Sequence, residues 1–186
     1  METIETPIEG LIVLKPRIFK DNRGSFYESY NKQTLTKLGI NCEFVQDNQS
    51  LSSYGTLRGL HMQTGDAAQA KLVRVLEGRV YDVALDLRAN SPTYGKHYGI
   101  ELSAENQLQF FIPRGFAHGF VVLSERASFF YKVDNYYCKE KEQGIIWNDP
   151  ALNIDWKIKA EDVVLSDKDK LLPLLRNIEN AKQAQL

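Results

Sequence analysis

The stretch Lys71-Leu-Val-Arg-Val-Leu-Glu-Gly-Arg-Val-Tyr-Asp-Val-Ala-Leu-Asp-Leu87 decides the fold class. Two runs rich in valine and leucine, Lys71–Leu76 and Arg79–Leu87, flank the pair Glu77-Gly78. β-branched residues suit a pleated, half-buried surface. Successive side chains of a strand point to opposite faces. In the second run, Tyr81, Val83, Leu85 and Leu87 therefore share one face, and Val80, Asp82, Ala84 and Asp86 share the other. Glu77-Gly78 reads as a hairpin turn between the two runs.

The same pattern repeats on both sides. Strands are expected at Gly10–Leu14, Gly24–Tyr30, Gly99–Leu102, Gln107–Ile112, Gly119–Leu123 and Ala127–Asn135. Turns come from Asn90-Ser-Pro92, Ser103–Asn106 and Pro113-Arg-Gly115. Turn signals every eight to twelve residues or so predict an antiparallel sandwich or barrel, an all-β fold. Helix is sparse: Lys32–Leu38, ended by Gly39, and a C-terminal helix over Leu171–Gln183, with Leu172, Leu175 and Ile178 on the side that docks on the sheet.

A chain of 186 residues suits one domain, residues 1–186. At that length roughly 70% of the unfolded surface can be buried, enough for a core without staples. Lys plus Arg is 23 and Asp plus Glu is 24, so the net charge is −1. That balance argues against a nucleic-acid or acidic-membrane binder and leaves room for a local basic pocket. The longest charge-free stretches, Asn48–Leu57 and Gly115–Ser124, hold ten residues each, too few to span a bilayer. The N-terminus, METIETPIEG, is acidic and unlike a signal peptide. Cys42 and Cys138 lie far apart with no CxxC pair, which suggests a reducing cytoplasm and no disulfide framework.

There are three histidines. His97 follows a polar turn and is expected to be structural or exposed. His61 closes Gly55-Thr-Leu-Arg-Gly-Leu-His-Met-Gln63, among glycines and beside Arg58. His118 sits in Pro113-Arg-Gly-Phe-Ala-His-Gly-Phe120, where glycines suggest close approach of backbone or ligand. A hydrogen-bonded core histidine is the alternative for each. Pro113-x-Gly115-x-x-His118 resembles the second motif of the cupin superfamily of small β-barrels. A metal-binding cupin also needs His-x-His and an acid soon after. Here the first motif is His61-Met62-Gln63, followed by Ala67, Ala68, Gln69 and Lys71. Two histidines do not close a site that wants three protein ligands, so a metal-free barrel is expected.

The remaining chemistry is acid–base. His61 can take a proton near neutral pH. Asp82, Asp86 and the cluster Asp167-Lys-Asp169 are candidate partners for it. Tyr131 could donate a proton from the opposite side of a substrate, and Lys71 could stabilise an oxyanion. Arg23, Arg58 and Arg74 could hold phosphates or simply lie on the surface. Tyr136-Tyr137 could stack on a base or pack at a sheet edge.

Across nearly the whole chain the sequence resembles the dTDP-4-dehydrorhamnose 3,5-epimerase family. The motifs run Phe19-x-Asp21-x-Arg23-Gly24-x-Phe26-x-Glu28, Gln46-Asp47-Asn48-x-Ser50, Gly55-x-Leu57-Arg58-Gly59-Leu60-His61-x-Gln63 and Gln69-Ala70-Lys71-Leu72-Val73-Arg74-Val75. They continue with Asp86-Leu87-Arg88, Ser91-Pro92-Thr93, Ile112-Pro113-x-Gly115-Phe116-Ala117-His118-Gly119-Phe120, Tyr131-Lys132, Tyr136-Tyr137, Trp147-Asn-Asp-Pro150 and Ser166-x-Lys168-Asp169. Met62 departs from the pattern, where the family often has an aromatic residue, and reads as a change in the pocket wall. The resemblance implies a double-stranded β-helix, or cupin-like jelly roll, and a homodimer with swapped N-terminal strands. It implies no cofactor and a nucleotide-linked 4-keto-6-deoxyhexose as substrate, in dTDP-L-rhamnose synthesis. Carried over, the roles are His61 as base paired with Asp169, Tyr131 as acid, and Lys71 at the C4 oxygen. Arg23, Glu28, Gln46, Asp47, Asn48, Arg58, His118, Glu142 and Lys168 would line the nucleotide-sugar site, with Tyr137 stacked on thymine. Asp167 competes with Asp169 for the base. The rivals are an epimerase acting at C3 or C5 alone or on a nucleotide heptose, a non-catalytic sugar-nucleotide-binding barrel, and a metal-dependent cupin oxygenase.

Overall fold

Runs of alternating apolar residues bounded by turn residues fold as strands, and the computed structural model describes residues 1–183 in these terms. Residues 184–186 of the expected domain lie outside the described part. In chain order the strands are β1 (Glu2–Glu5), β2 (Ile12–Lys15), β3 (Phe19–Asp21), β4 (Gly24–Phe26), β5 (Gln46–Ser53), β6 (Leu57–Gln63) and β7 (Lys71–Glu77). They continue with β8 (Arg79–Asp86), β9 (His97–Ser103), β10 (Gln109–Ile112), β11 (Phe116–Val122), β12 (Arg126–Val133) and β13 (Glu142–Gly144). One sheet has six strands in the order β1-β2-β10-β7-β12-β5, and a second has five in the order β13-β6-β11-β8-β9. Every strand pair is antiparallel. The chain passes back and forth between the two sheets, which pack face to face as a cupin-like jelly roll.

The alternation in β8 separates two cores. Val80 and Ala84 face inward with Val13, Val73, Phe110 and Phe129 between the sheets. Val83, Leu85 and Leu87 face outward and are covered by Leu152, Trp156 and Leu175 from the C-terminal region. A third cluster packs α1 (Lys32–Lys37) on the outer face of the six-stranded sheet, with Leu35 and Ile40 against Leu14, Leu72 and Phe111. The Asn31 side chain caps this helix by accepting from the Gln33 and Thr34 N–H groups.

Several expectations need correction. Glu77-Gly78 joins strands of different sheets, so it is a corner and not a two-strand hairpin. Gly78 sits at φ +75°, the left-handed conformation that such a corner uses. Gly10–Leu14 is displaced to β2, and its partner β1 escaped notice because all four of its residues are exposed. Of Gly24–Tyr30 only β4 is strand, in a small hairpin with β3, while Tyr30 turns back to pack edge-on against Phe44. β5 is too polar to announce itself: its inward positions include Asn48 and Ser50, which line a cavity. The C-terminal helix expected over Leu171–Gln183 starts only at Leu175, after Pro173, which cannot continue a helix. A single turn, α2 (Asp167–Lys170), precedes it and α3 (Leu175–Gln183) follows. Leu175 and Ile178 dock as expected, whereas Leu172 lies in the break and packs against Gly144.

One irregularity positions the site. Along the β6–β11 pair, His61 faces His118 and Arg58 faces Phe120, so Gly59 and Leu60 together oppose Gly119. This extra residue is a β-bulge. In an unbroken strand, residues three apart point to opposite faces. The bulge turns Arg58 and His61 to the same side. Gly59 has φ +123°, and a Cβ there would lie 2.5 Å from Gly119 Cα. A Cβ on Gly119 would lie 2.8 Å from the Arg58 carbonyl oxygen. Only glycine fits at either place. Gly59→Ala should therefore destabilise the protein by about 1–3 kcal/mol or more, the usual cost of holding a side chain in such a conformation. Urea unfolding checks this, and an unchanged midpoint would show that the close approach is dispensable.

Candidate active site

Between the sheets lies a cavity of about 400 Å³. The five-stranded sheet contributes Arg58, His61, His118 and Phe120, and the six-stranded sheet contributes Asn48, Ser50, Lys71, Phe129 and Tyr131. Ser166, Lys168 and Asp169 close it from the C-terminal segment. That segment is stitched alongside the start of β6: the Leu57 N–H donates to the Val164 carbonyl (2.9 Å) and the Val164 N–H to the Gly55 carbonyl (2.9 Å). Ser166 then caps α2 by accepting the Asp169 N–H (3.1 Å).

This delivers Asp169 to His61, with Oδ1 2.6 Å from Nε2. The histidine side chain is 27% exposed and the aspartate 5%. Burial raises the Asp169 pKa, but hydrogen bonds from His61, Ser166 and the Gly59 backbone outweigh it, and the net shift is downward. The carboxyl is thus held as an anion. Residues two apart on a helical turn point to opposite sides. Asp167 accordingly faces solvent and pairs with Lys170 (2.9 Å).

His118 lies directly across the ladder from His61. Its Nε2–H donates to both oxygens of Asp82 (3.0 and 2.9 Å). Burial lowers the pKa of this imidazole, and Asp82 opposes the shift. The remaining candidate carboxylate, Asp86, faces away. It accepts hydrogen bonds from Arg88, Ser91 and Thr93 and serves as a loop clip. Burial raises its pKa, but those bonds more than reverse the effect.

Lys71 opens β7 inside the cavity. Burial pushes its pKa down to about 8, opposed first by Asp82 and then by Glu142. Among the described residues no hydrogen bond or ion pair occupies its ammonium group. Tyr131 projects from β12, on the sheet opposite His61. Burial pushes its phenol pKa up; Arg58 pulls the other way and Glu142 adds to the rise. Phe120 and Phe129 stack across the gap between the sheets, 4.0 Å apart and 17° from parallel, and give the cavity an apolar wall.

The rim is polar. Arg58 donates to Ser52 Oγ (3.3 and 3.1 Å), and the Gln46 amide donates to Asn48 Oδ1 (2.9 Å). Glu142 accepts from the Tyr137 hydroxyl (2.8 Å) and pairs with Lys168 (2.5 Å). Burial raises the Glu142 pKa, but Lys168 and Tyr137 outweigh it and the shift is downward.

Four expected residues stand apart from the cavity. Asp47 falls between Gln46 and Asn48 on the strand, faces the other way and pairs with Lys132 (2.8 Å). Arg74 also faces outward, beside Tyr27 and over the Phe130 ring. Arg23 is 86% exposed on the β3–β4 hairpin and bound to Asp21. Glu28 accepts from Asn31 and Thr34 near α1. The sequence reading gave no role to Ser50, Phe120, Phe129 or Ser166. Strand alternation from Tyr131 would have found Phe129. Among the described residues no three His, Cys, Asp or Glu side chains converge on one point.

Comparison with known proteins agrees with this geometry. The family model for dTDP-4-dehydrorhamnose 3,5-epimerase matches residues 5–177. The chain is 52% identical over 176 residues to the dTDP-4-dehydrorhamnose 3,5-epimerase of Salmonella typhimurium, covering 94% of this chain and 96% of that protein. Among solved structures, the dTDP-4-dehydrorhamnose 3,5-epimerase of Elizabethkingia anophelis is 58% identical with a TM-score of 0.92, covering 95% of this chain and 97% of the other. A Legionella pneumophila dTDP-6-deoxy-D-glucose-3,5-epimerase in complex with dTDP-4-keto-L-rhamnose is 49% identical with a TM-score of 0.92, covering 97% of this chain and 95% of the other. A cavity that sets a histidine–aspartate pair against a tyrosine, in a jelly roll matched along its whole working length, places this chain in the dTDP-4-dehydrorhamnose 3,5-epimerase family.

Proposed function

We propose that the protein inverts C3 and C5 of dTDP-4-dehydro-6-deoxyglucose to give dTDP-4-dehydro-L-rhamnose. The observation that carries this reading is the placement of His61 and Tyr131 on opposite sheets of one cavity, with Lys71 beside them. A ketone at C4 acidifies the protons on both neighbouring carbons. His61, anchored by Asp169, removes a proton from one face. Tyr131, its phenol kept protonated by burial, returns one from the other, and the centre inverts. The enolate between the two steps carries its charge on the C4 oxygen, where the Lys71 ammonium meets it. A positioned acid or base contributes about 10²–10⁴ in rate, and a good oxyanion donor about 10²–10³. No step requires a metal or a redox cofactor.

The rim suits the nucleotide. Arg58 and Lys168 supply positive charge for the diphosphate, Tyr137 offers a face for the thymine, and Gln46, Asn48, His118 and Glu142 supply hydrogen bonds. Asp47 contributes its main chain. Arg23 and Glu28 act in a homodimer, in which the N-terminal strands are exchanged and the β3–β4 hairpin of one protomer reaches the other's cavity. Phe26 and its cross-strand partner Phe19, 73% and 52% exposed at the open end of that hairpin, support such an exchange by offering an apolar face to the second protomer. One domain carries all of this. We place it in the cytoplasm on the two free thiols, Cys42 and Cys138.

The test is proton NMR of the keto sugar with enzyme in D₂O. His61→Asn should lose at least about 10²-fold in deuterium exchange at both carbons while dTDP still binds. Asp169→Asn should show a large share of the same loss, and Asp167→Asn almost none. Tyr131→Phe should lose about 10²-fold in product but less in exchange, so the ratio of exchange to inversion rises. An unchanged ratio with normal turnover would remove Tyr131 from the mechanism.

Metal removal gives a separate check. Turnover should survive long dialysis against EDTA, because His61 and His118 are each engaged with their own aspartate. Activity lost to EDTA and restored by zinc, iron or manganese would overturn the acid–base reading.

A further inference from the structure

The short strand β13 lies at the edge of the five-stranded sheet, and the turn that carries Asp169 rests on it. Residues two apart on a strand share a face. Glu142 and Gly144 are such a pair, and both meet the turn: Glu142 holds Lys168 (2.5 Å), and Gly144 meets Leu172. Gly144 lies directly across the ladder from His61. Residues paired in this way send their side chains to the same side. A Cβ on Gly144 would stand 2.7 Å from Leu172 Cδ2 and 2.7 Å from the Leu60 carbonyl oxygen. Leu172 thus fills the notch beside His61 that a side chain at position 144 would fill. Gly144 is not one of the glycines with positive φ, so space and not backbone conformation calls for glycine here. Leu172 is half-buried and does not line the cavity.

We propose that Leu172 is a positioning residue for the His61–Asp169 pair: seated in the notch at Gly144, it registers the aspartate-bearing turn on the strand that faces His61. This rests on the acid–base reading given above. The turn α2 spans four residues, too short a helix to hold its own place. Its position comes from fastening at both ends. The chain enters from Val164, bonded to Gly55 and Leu57, and Ser166 caps the turn. It leaves through Leu172 and Pro173. The Pro173 carbonyl accepts the Ile146 N–H (2.9 Å), and the buried Asp149 carboxylate accepts the Leu175 N–H (2.7 Å). Leu172 is the seat on the outgoing side that stands closest in sequence to Asp169. The Glu142–Lys168 pair joins two flexible side chains, with Lys168 55% exposed, and gives little geometric hold. A branched apolar side chain in a fitted notch has few other places to go. Leu172→Ala empties the notch and frees the turn to shift. The 2.6 Å contact between His61 and Asp169 tolerates only a small shift before the hydrogen bond is lost.

The experiment is a double-mutant cycle on kcat at saturating keto sugar, with Leu172→Ala, Asp169→Asn and the two combined. Displacing Asp169 by about an ångström should lower kcat of Leu172→Ala by about 10–10²-fold. In the Asp169→Asn background the same truncation should cost almost nothing, because the contact it protects is already gone. Losses that simply multiply, or a normal kcat in Leu172→Ala, overturn the proposal. Leu172→Met keeps the volume and should keep most of the activity; a loss as large as with alanine overturns the proposal too. Should Leu172→Ala not fold, Leu172→Val, one methylene shorter, takes its place in the cycle with a smaller loss expected. A substrate-free arm reads the nitrogen-15 shifts of the His61 ring through its carbon-bound protons. In Leu172→Ala they should move towards those of Asp169→Asn, and in Leu172→Met they should stay at the wild-type values. His61 shifts left unchanged in Leu172→Ala overturn the proposal. That arm needs no turnover, so a failure of the epimerase reading itself, seen as wild-type inactivity on the keto sugar, is recognised separately.

Discussion

The contact between Gly59 and Gly119 governs the site. Two backbones come together there more closely than any side chain allows, and the β6 strand gains one residue relative to its neighbour. Without that extra residue, Arg58 and His61 would face opposite sides of the sheet. With it, the Arg58 guanidinium and the His61 imidazole open into one cavity. The aspartate partner of His61 depends on the same stretch: the Gly59 backbone contributes to holding Asp169 as an anion, and Gly55 and Leu57 hold the segment that carries it.

The rest of the cavity follows from setting two sheets against each other. Each sheet contributes what the other lacks. The five-stranded sheet brings both histidines, and the six-stranded sheet brings the tyrosine and the lysine. In the proposed reaction a proton thus leaves one face of a flat intermediate and returns to the other without any large movement of the protein. The interior polar groups are partnered: no buried side-chain nitrogen or oxygen among the described residues lacks a hydrogen bond. Such networks keep a site rigid, since a half-satisfied one costs more than an apolar core. Lys71, half-buried on the cavity lining, bonds no other side chain among the described residues, which leaves its ammonium available to a ligand.

The strands with apolar alternation, β7, β8, β11 and β12, were legible in the sequence because each packs at least one face into a core, and period-two hydrophobicity is the mark of that burial. β5 and β6 were not, for a physical reason. Their inward residues line a cavity, so they are polar or glycine, and the pattern that signals a strand is absent where the site is. His61, His118 and Lys71 could be named from their chemistry and their glycine-rich surroundings. The partners of the two histidines could not be chosen by chemistry alone, since four aspartates were eligible. The turn α2 settled one, because it points Asp169 inward and Asp167 outward. The register of β8 against β11 settled the other. Arg23 and Glu28 could be listed from motifs, but no sequence pattern says whether a residue serves its own chain's cavity.

Asp169 is separated from its partner His61 by 108 positions along the chain. The last strand of the jelly roll ends at Gly144, well before Asp169. On the ribosome, which adds roughly 5–20 residues per second, every strand is therefore made before the aspartate exists. For a second or more, the nascent protein has the material for its whole barrel and a histidine with nothing to lean on. The carboxylate arrives with the tail, after the scaffold that must contain it.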